Sequence, residues 1–432
     1  MPTGQRLRGL PRMSAALVPR ELLSWSLTAI ALGALEGGLL GVIVKTQFSE
    51  VGSPVLVNFA VAVVAGAPSF ANLSSFIIAP LAQGRDKIVL LSRLMLLMGI
   101  CLVLMAFPPT SGTGLVFFTL LAVVARAAWS GILTIRAAVW RANYERRWRG
   151  RVTARIVQFA SLLVAGVSAL TGLLMDWHGD AWRAVFPLAG MSSVAAYYVY
   201  RRSRVRRHHK LLQAERAELS LRSSSFSLQA MAAVLKGNRE FRNYMLGMMV
   251  FGSGNLMIIA MLVVLMNDYF TLPRLHQVVI TSSLPLLVLF VTIAHWAKVL
   301  DRRHIFTYRA IHSWNFVSAH VVFATAALAN MPGLLWLGSL LLGSAYAGGH
   351  LGWNLGHNDF TSDADSSLYM AIHVSLTGLR GLLMPIVGVA FFQYLESVAP
   401  GHGAYAMLLP VALCLLGSFW FVYLHFDRAK NA

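Results

Sequence analysis

Three charged side chains sit where their neighbours are almost all apolar, small or hydroxyl-bearing: Glu36 in "ALEGGLLG" (34–41), Arg126 in "VVARAAW" (123–129) and Arg380 in "TGLRGLLMP" (377–385). A charge in the middle of a hydrocarbon layer costs on the order of 2.5–3.5 kcal/mol, so each must face protein or water and find a partner. The chemistry open to them is narrow. A carboxylate can carry a proton or balance a cation, and a guanidinium can hold an anion. A Glu/Arg pair about 4 Å apart returns roughly 4 kcal/mol at an effective dielectric near 20. A polar stripe adds to this set: His350, Trp353, Asn354 and His357 fall at i, i+3, i+4 and i+7, one face of a helix. Asn255, in "FGSGNLMI" (251–258), is a milder polar intrusion, of a kind that more often bonds a neighbouring helix than a ligand. No metal site follows, because His-Asn-His without a thiolate or second acid is incomplete. No Gly-x4-Gly-Lys-Ser/Thr loop is present, so ATP is not indicated as the driving force. His357 and Asp359 do not grow into a nucleophile or metal set either. The reading is therefore of a chain that is not an enzyme and needs no cofactor.

The elements that must position these residues follow from composition. Of 432 residues, 57% are hydrophobic and 12% are charged, against roughly 45–50% and 25% in a soluble domain. Apolar runs of about 20 residues recur, long enough to cross a roughly 30 Å hydrocarbon layer as helix. They predict an all-α membrane protein with twelve spans, at 22–44, 55–80, 88–107, 115–138, 152–175, 182–199, 243–266, 275–297, 306–329, 333–356, 367–394 and 403–425. The first run follows a basic tail, exceeds a signal-peptide core and lacks a clean small-residue cleavage site, so an uncleaved span is expected. Cys101 and Cys414 both lie inside apolar runs, which offers neither a disulfide framework nor a Cys-based zinc site.

The formal charge of +19 is assigned to topology by where it falls. Lys and Arg crowd the N-terminal tail, the connections at 85–93, 136–155, 201–242 and 298–309, and the C-terminus. The opposite side holds only Lys45, Arg183 and Arg274. Basic residues are retained in the cytoplasm, which predicts both termini inside a cell membrane. "RRSRVRRHHK" (201–210) is suited to anionic membrane lipid, and nucleic acid is not an expected partner. The long connection divides the chain into a basic tail (1–21), a six-helix bundle (22–200), a basic linker (201–242), a second bundle (243–426) and a short tail (427–432). Within the linker region, "AVLKGNREFRNY" (233–244) reads as an amphipathic helix lying on the inner surface.

Matching signals recur in the two halves, and here the sequence resembles the major facilitator superfamily over about residues 20 to 426. The resemblance rests on the 6+6 layout, the basic central loop and the motif "WAKVLDRR" (296–303), which puts Asp301 and Arg302 in the family's loop positions. The first-half copy is degraded, with Gln83 near the acidic position, followed by Gly84, Arg85, Asp86 and Lys87. "RRWRGR" (146–151), with Arg149 and Arg151, looks like the family's Arg-Gly element after span four. The proline-glycine signature of drug/proton antiporters is absent from span five (157–174). The resemblance implies two bundles related by a pseudo-two-fold axis, a monomer, and spans one, four, seven and ten around a central cavity. It implies a gating role for Asp301, Arg302, Arg85, Asp86, Arg149 and Arg151. The competing reading of those residues is a solvated, topology-setting cluster.

On that architecture Glu36 and Arg126 lie at comparable depth and both face the cavity. Two readings stay open: a buried pair clamping span one to span four, helped by the glycine stripe Gly33, Gly37 and Gly41, or a substrate and proton site. With Glu36 balanced by Arg126, Arg380 leaves the core with surplus positive charge, which favours an anionic solute. Its alternative is hydrogen bonding to carbonyls freed near Pro385 and Gly388. The sequence is thus read as a secondary active transporter for a small solute, proton-coupled through Glu36. The alternatives are a non-transporting scaffold or receptor of the same fold, and an antiporter for cationic substrates.

Overall fold

The computed structural model of the chain describes residues 12–221, 228–361 and 366–431, among which no strand occurs. The first half comprises α1 (Arg12–Ala34), α2 (Gly37–Gln47), α3 (Pro54–Phe70), α4 (Ser75–Ala82), α5 (Lys87–Met105), α6 (Gly112–Asn143), α7 (Arg146–Trp177) and α8 (Trp182–Tyr200). Two linker helices follow, α9 (His208–Leu221) and α10 (Leu228–Gly237). The second half comprises α11 (Arg239–Asp268), α12 (Arg274–Val278), α13 (Leu284–Leu300), α14 (Ile305–Leu328), α15 (Leu334–Leu355), α16 (Ser366–Val398) and α17 (Leu408–Asn431).

Among the described residues, ten helical stretches are long and apolar enough to cross a bilayer. The chain is therefore a multi-pass, all-α membrane protein. The stretches expected as spans six and nine form the long helices α8 and α14 but fall short in apolarity. α8 carries Arg183, Tyr197 and Tyr198, and α14 carries Arg309, His312, Asn315 and His320. The outer surfaces present Ile77, Phe117, Val291, Leu416 and Phe419 uncovered, as side chains facing acyl chains should be.

Several expected spans are not single helices. The first is interrupted at Leu35–Glu36. The second passes through a 3-10 turn at Ala71–Ser74, between helices that contain Pro68 and Pro80. Each proline lacks the N–H that would bond the preceding turn and crowds its carbonyl. The eighth passes through a π turn at Val279–Ser283. Such departures survive in a membrane only where protein re-satisfies the backbone.

In the first half α1 packs on α7 and α8, and α5 on α6 and α8; in the second α11 packs on α16 and α17, and α14 on α15 and α17. The halves meet where α3 lies on α16, α7 on α12 and the π turn, and α2 and α3 on α11. Small residues permit the closest approach: a Cβ at Gly66 would stand 2.4 Å from the Gly381 carbonyl oxygen.

The linker is tied to the first bundle by hydrogen bonds and an ion pair. The Glu215 carboxylate receives Lys87 Nζ (2.6 Å) and the Gly84 N–H (3.0 Å), and Arg216 Nε donates to the Gly84 carbonyl (3.1 Å). Gly84 has φ of 65°, the left-handed region open to glycine. The amphipathic helix expected over 233–244 is two helices, because Asn238 caps α11. Its Oδ1 accepts from the Phe241 N–H (2.9 Å), while its Nδ2 donates to the Phe360 carbonyl and the Tyr369 hydroxyl.

Candidate functional site

Glu36 stands at the break in the first membrane helix. Its φ and ψ of −59° and 134° leave the helical region, and α2 restarts one residue later. Interrupting a helix orphans carbonyls on one side and N–H groups on the other. The carbonyl of Leu35 takes Arg126 Nε at 2.8 Å, and that of Gly33 takes Ser168 Oγ at 2.7 Å. The same guanidinium reaches Glu36 Oε1 through Nη2 at 3.1 Å. The carboxylate thus sits at the N-terminal end of α2 and against a cation. Arg126 is 3% exposed; Glu36 is half-buried.

The expected meeting of spans one and four is therefore present, but the glycine stripe is not what makes it. Added Cβ atoms would meet α7 at Gly33 (Val167), α3 at Gly37 (Ala65) and α11 at Gly41 (Val263), because the break turns α2 away from the face that α1 presents.

Across from the pair runs α15. Tyr346 lies within electrostatic reach of Glu36, and His350 within reach of Arg136 in the opposite half. His350 and Asn354 are exposed, with Asn354 Nδ2 donating back to the His350 carbonyl at 2.7 Å. Trp353 does not join them. Its Nε1 donates to Thr377 Oγ1 (3.1 Å) and its ring packs on His373 at 5.7 Å. His357 lies beyond the end of α15 in the 3-10 turn Gly356–Phe360 and is buried. Trp353, still within α15, lies on the side of that helix turned to α16, and His357 leaves the face because the 3-10 turn advances 120° per residue rather than 100°. Asn255 is half-buried, its Oδ1 without a partner among the described residues.

Arg380 is 2% exposed and bonds within its own helix, Nε to the Leu376 carbonyl (3.2 Å) and Nη2 to Thr377 Oγ1 (2.9 Å). The carbonyl it uses lies one turn before it, not near Pro385.

Charges at the edges of the expected spans are buried as well. Glu21, 1% exposed, accepts from Trp25 Nε1 (2.7 Å), Trp140 Nε1 (3.0 Å) and the Tyr200 hydroxyl (3.5 Å). Arg136 lies over the Trp25 and Trp140 rings at 4.7 and 4.4 Å. Arg309, counted with the inner loop by sequence, is buried in α14. The available signal was tryptophan, in "SW" (24–25) and "VW" (139–140), flanking charges at span edges.

No family model and no curated sequence matches the chain. Solved structures do. A point mutant of the nucleoside transporter NupG superposes with a TM-score of 0.72 at 13% identity, covering 94% of this chain and 99% of that one. A D-xylose-proton symporter gives 0.70 at 12%, covering 95% and 97%. A bacterial homolog of the human lysosomal transporter Spinster, inward-facing and unoccupied, gives 0.67 at 12%, covering 98% and 99%. The chain has the major facilitator superfamily fold.

In the major facilitator frame the residues expected to gate take ordinary local roles in this conformation. Asp86 caps α5, its Oδ1 accepting from the Ile88 and Val89 N–H groups at 2.9 and 3.2 Å. Arg85, Asp301 and Arg302 are exposed, and Asp301 ends α13. The side chains of Arg149 and Arg151 lie outside the described residues. Asp301 and Arg302 line a cavity of about 460 Å³ with His304 and Asp359. His304 is held below its usual pKa by burial and by the Arg428 charge, against the opposing pull of Asp359.

Polar contacts between the halves gather at the end of the bundle opposite the termini. Lys45 Nζ pairs with Asp268 at 2.7 Å while also donating to Asn58 Oδ1 at 2.6 Å. The Asp176 carboxylate accepts the N–H groups of Arg274 (2.7 Å) and Leu275 (3.0 Å), and Arg274 Nη1 donates to the Met175 carbonyl (3.1 Å). These bonds tie the two halves together at that end.

Proposed function

We propose that the chain is a secondary active transporter, in which two six-helix bundles rock about a site at Glu36 and Arg126. The observation that carries this is the first membrane helix breaking at a carboxylate that Arg126 braces from the other side. Broken helices whose termini point into a midplane site are how transporters present charge to a cargo. Fold likeness to a nucleoside transporter and a proton-coupled sugar symporter agrees with it. Repetition of pairings, α5 with α8 and α14 with α17, or α1 with α7 and α11 with α16, supports twelve crossings and a pseudo-two-fold axis. The basic connections support a chain in the cell membrane with both termini in the cytoplasm. On that orientation the tied end faces out and the conformation faces in. The protein acts as a monomer in contact with anionic lipid.

Glu36 is the proton carrier. While Arg126 stays paired with it the carboxylate is occupied by the guanidinium and carries nothing. An anionic solute that draws Arg126 away lets Glu36 protonate, so solute and proton move together. Arg380 and Arg309, buried without carboxylate partners among the described residues, tilt the core towards such a solute. Asn255, Tyr346, His350 and Asn354 complete the lining, and Asp301, Arg302, Arg85, Asp86, Arg149 and Arg151 work the inner gate. Vesicles containing the purified chain should accumulate solute under an imposed proton gradient. Glu36→Gln should keep binding and counterflow exchange while losing gradient dependence; unchanged coupling in that variant rules Glu36 out as carrier. No gradient-sensitive uptake of any solute would leave a scaffold.

A further inference from the structure

Among the described residues, the interior of the second bundle holds two guanidiniums and no carboxylate to match them. Arg309 of α14 and Arg380 of α16 are 1% and 2% exposed. Neither forms an ion pair among the described residues. Arg309 Nε and Nη2 and Arg380 Nη1 are buried without a hydrogen-bond partner, and so are both ring nitrogens of His373.

These atoms belong to one connected cluster. Arg309 lies against Gly352, where an added Cβ would stand 2.9 Å from its guanidinium. The Gly352 carbonyl accepts the Tyr244 hydroxyl at 3.5 Å, and the Tyr244 ring meets His373 edge-on at 6.2 Å. His373 packs on Trp353, which shares Thr377 Oγ1 with Arg380 Nη2. Gly252 of α11 lacks the Cβ that would collide with Arg380 Nη1. Helices α11, α14, α15 and α16 therefore converge on donors with nothing to donate to.

A buried donor left unmade costs roughly 1–3 kcal/mol, more when charged, and native interiors hold few of them. Two like charges in a low-dielectric interior add repulsion. A small anion between them removes both penalties at once, whereas water removes only the first.

We propose that Arg309 and Arg380 jointly bind one small anion inside the second bundle, at a site separate from Glu36–Arg126. Complete burial of the donors favours a species the size of chloride, phosphate or a short carboxylate over a bulky solute. The site does not depend on the transport reading, and it is tested without a gradient.

The test is thermal melting of the purified full chain in detergent, at constant ionic strength with a bulky sulfonate as balancing anion. Chloride, phosphate and acetate are titrated separately. The wild type should melt higher with saturable dependence on at least one of them. Saturation by chloride or phosphate identifies an inorganic occupant, and saturation by acetate alone identifies an organic acid. Arg309→Gln or Arg380→Gln should raise the half-saturating concentration roughly 10- to 100-fold, the loss of one charged hydrogen bond. In sulfonate alone each variant should melt no lower than wild type, because one repelling charge is gone. If the glutamine variants do not fold, Arg380→Lys keeps the charge without the forked donor and should weaken binding measurably. Absence of a saturable shift with all three anions overturns the site, as does an equal shift in the Arg309→Gln/Arg380→Gln double variant or unchanged half-saturation in Arg380→Lys.

Discussion

Arg126 makes two bonds in different directions, Nε to the Leu35 carbonyl and Nη2 to Glu36, from two nitrogens held apart in one rigid plane, a spread that the single nitrogen of a lysine lacks. Arg126→Lys should therefore fail to restore transport even though the charge is kept. Arg126→Gln leaves a half-buried carboxylate and an orphan carbonyl. Removing one partner of a buried pair costs about 3–5 kcal/mol, a figure to be lowered here because Glu36 keeps some contact with solvent. The variant should melt well below wild type, and further below than Glu36→Gln, whose amide oxygen still accepts from Nη2. Equal melting of the two would mean the guanidinium is not bracing the break.

At the scale of helices, the packing of α3 on α16 depends on small residues at the contact. A Cβ at Gly66 would press on the Gly381 carbonyl at 2.4 Å and on Pro385 at 2.9 Å, and neither can swing aside. Gly66→Ala should cost about 1–3 kcal/mol by overpacking. Gly166 has nothing within 4 Å of its added Cβ. Gly166→Ala should be neutral or stabilising by up to about 1 kcal/mol, since alanine is the better helix former. Melting of both variants checks the pair, and equal losses would remove the steric argument. The α1–α2 break escaped prediction for a related reason. "LGALEGGLLG" (32–41) reads as one small-residue stripe, and glycines next to Glu36 mark equally a close contact and a place where helix can stop.

At the scale of the whole molecule, the end opposite the termini is held by Lys45–Asp268 and by Asp176 on the α12 backbone. If rocking opens that end, Lys45→Ala should shift the population towards the opposite conformation. A cysteine placed at Gly179, beside Gln47 and Arg274, should then react faster with an impermeant thiol reagent. Cys101 and Cys414 are both buried, so the background is low. Exchanging Lys45 and Asp268 should return the rate towards wild type, with a coupling of about 1–3 kcal/mol for a charged hydrogen bond. An unchanged labelling rate in Lys45→Ala would show the pair is not a latch.

Much of the architecture was legible because a hydrocarbon layer forces every backbone polar group to pair within its own helix, so apolar length translates directly into spans. The same penalty made Glu36, Arg126 and Arg380 visible as residues needing partners, and matched depth brought Glu36 to Arg126. Tertiary structure alone decided where the first helix breaks, that Trp353 and His357 leave the His350 face, and that Arg309 and Glu21 are interior rather than loop residues. Periodicity assumes an unbroken helix and a known edge; a single extended residue or a 3-10 turn rotates everything beyond it. Which charges lack partners is a property of how helices from both ends of the chain converge, and no local stretch of sequence contains it.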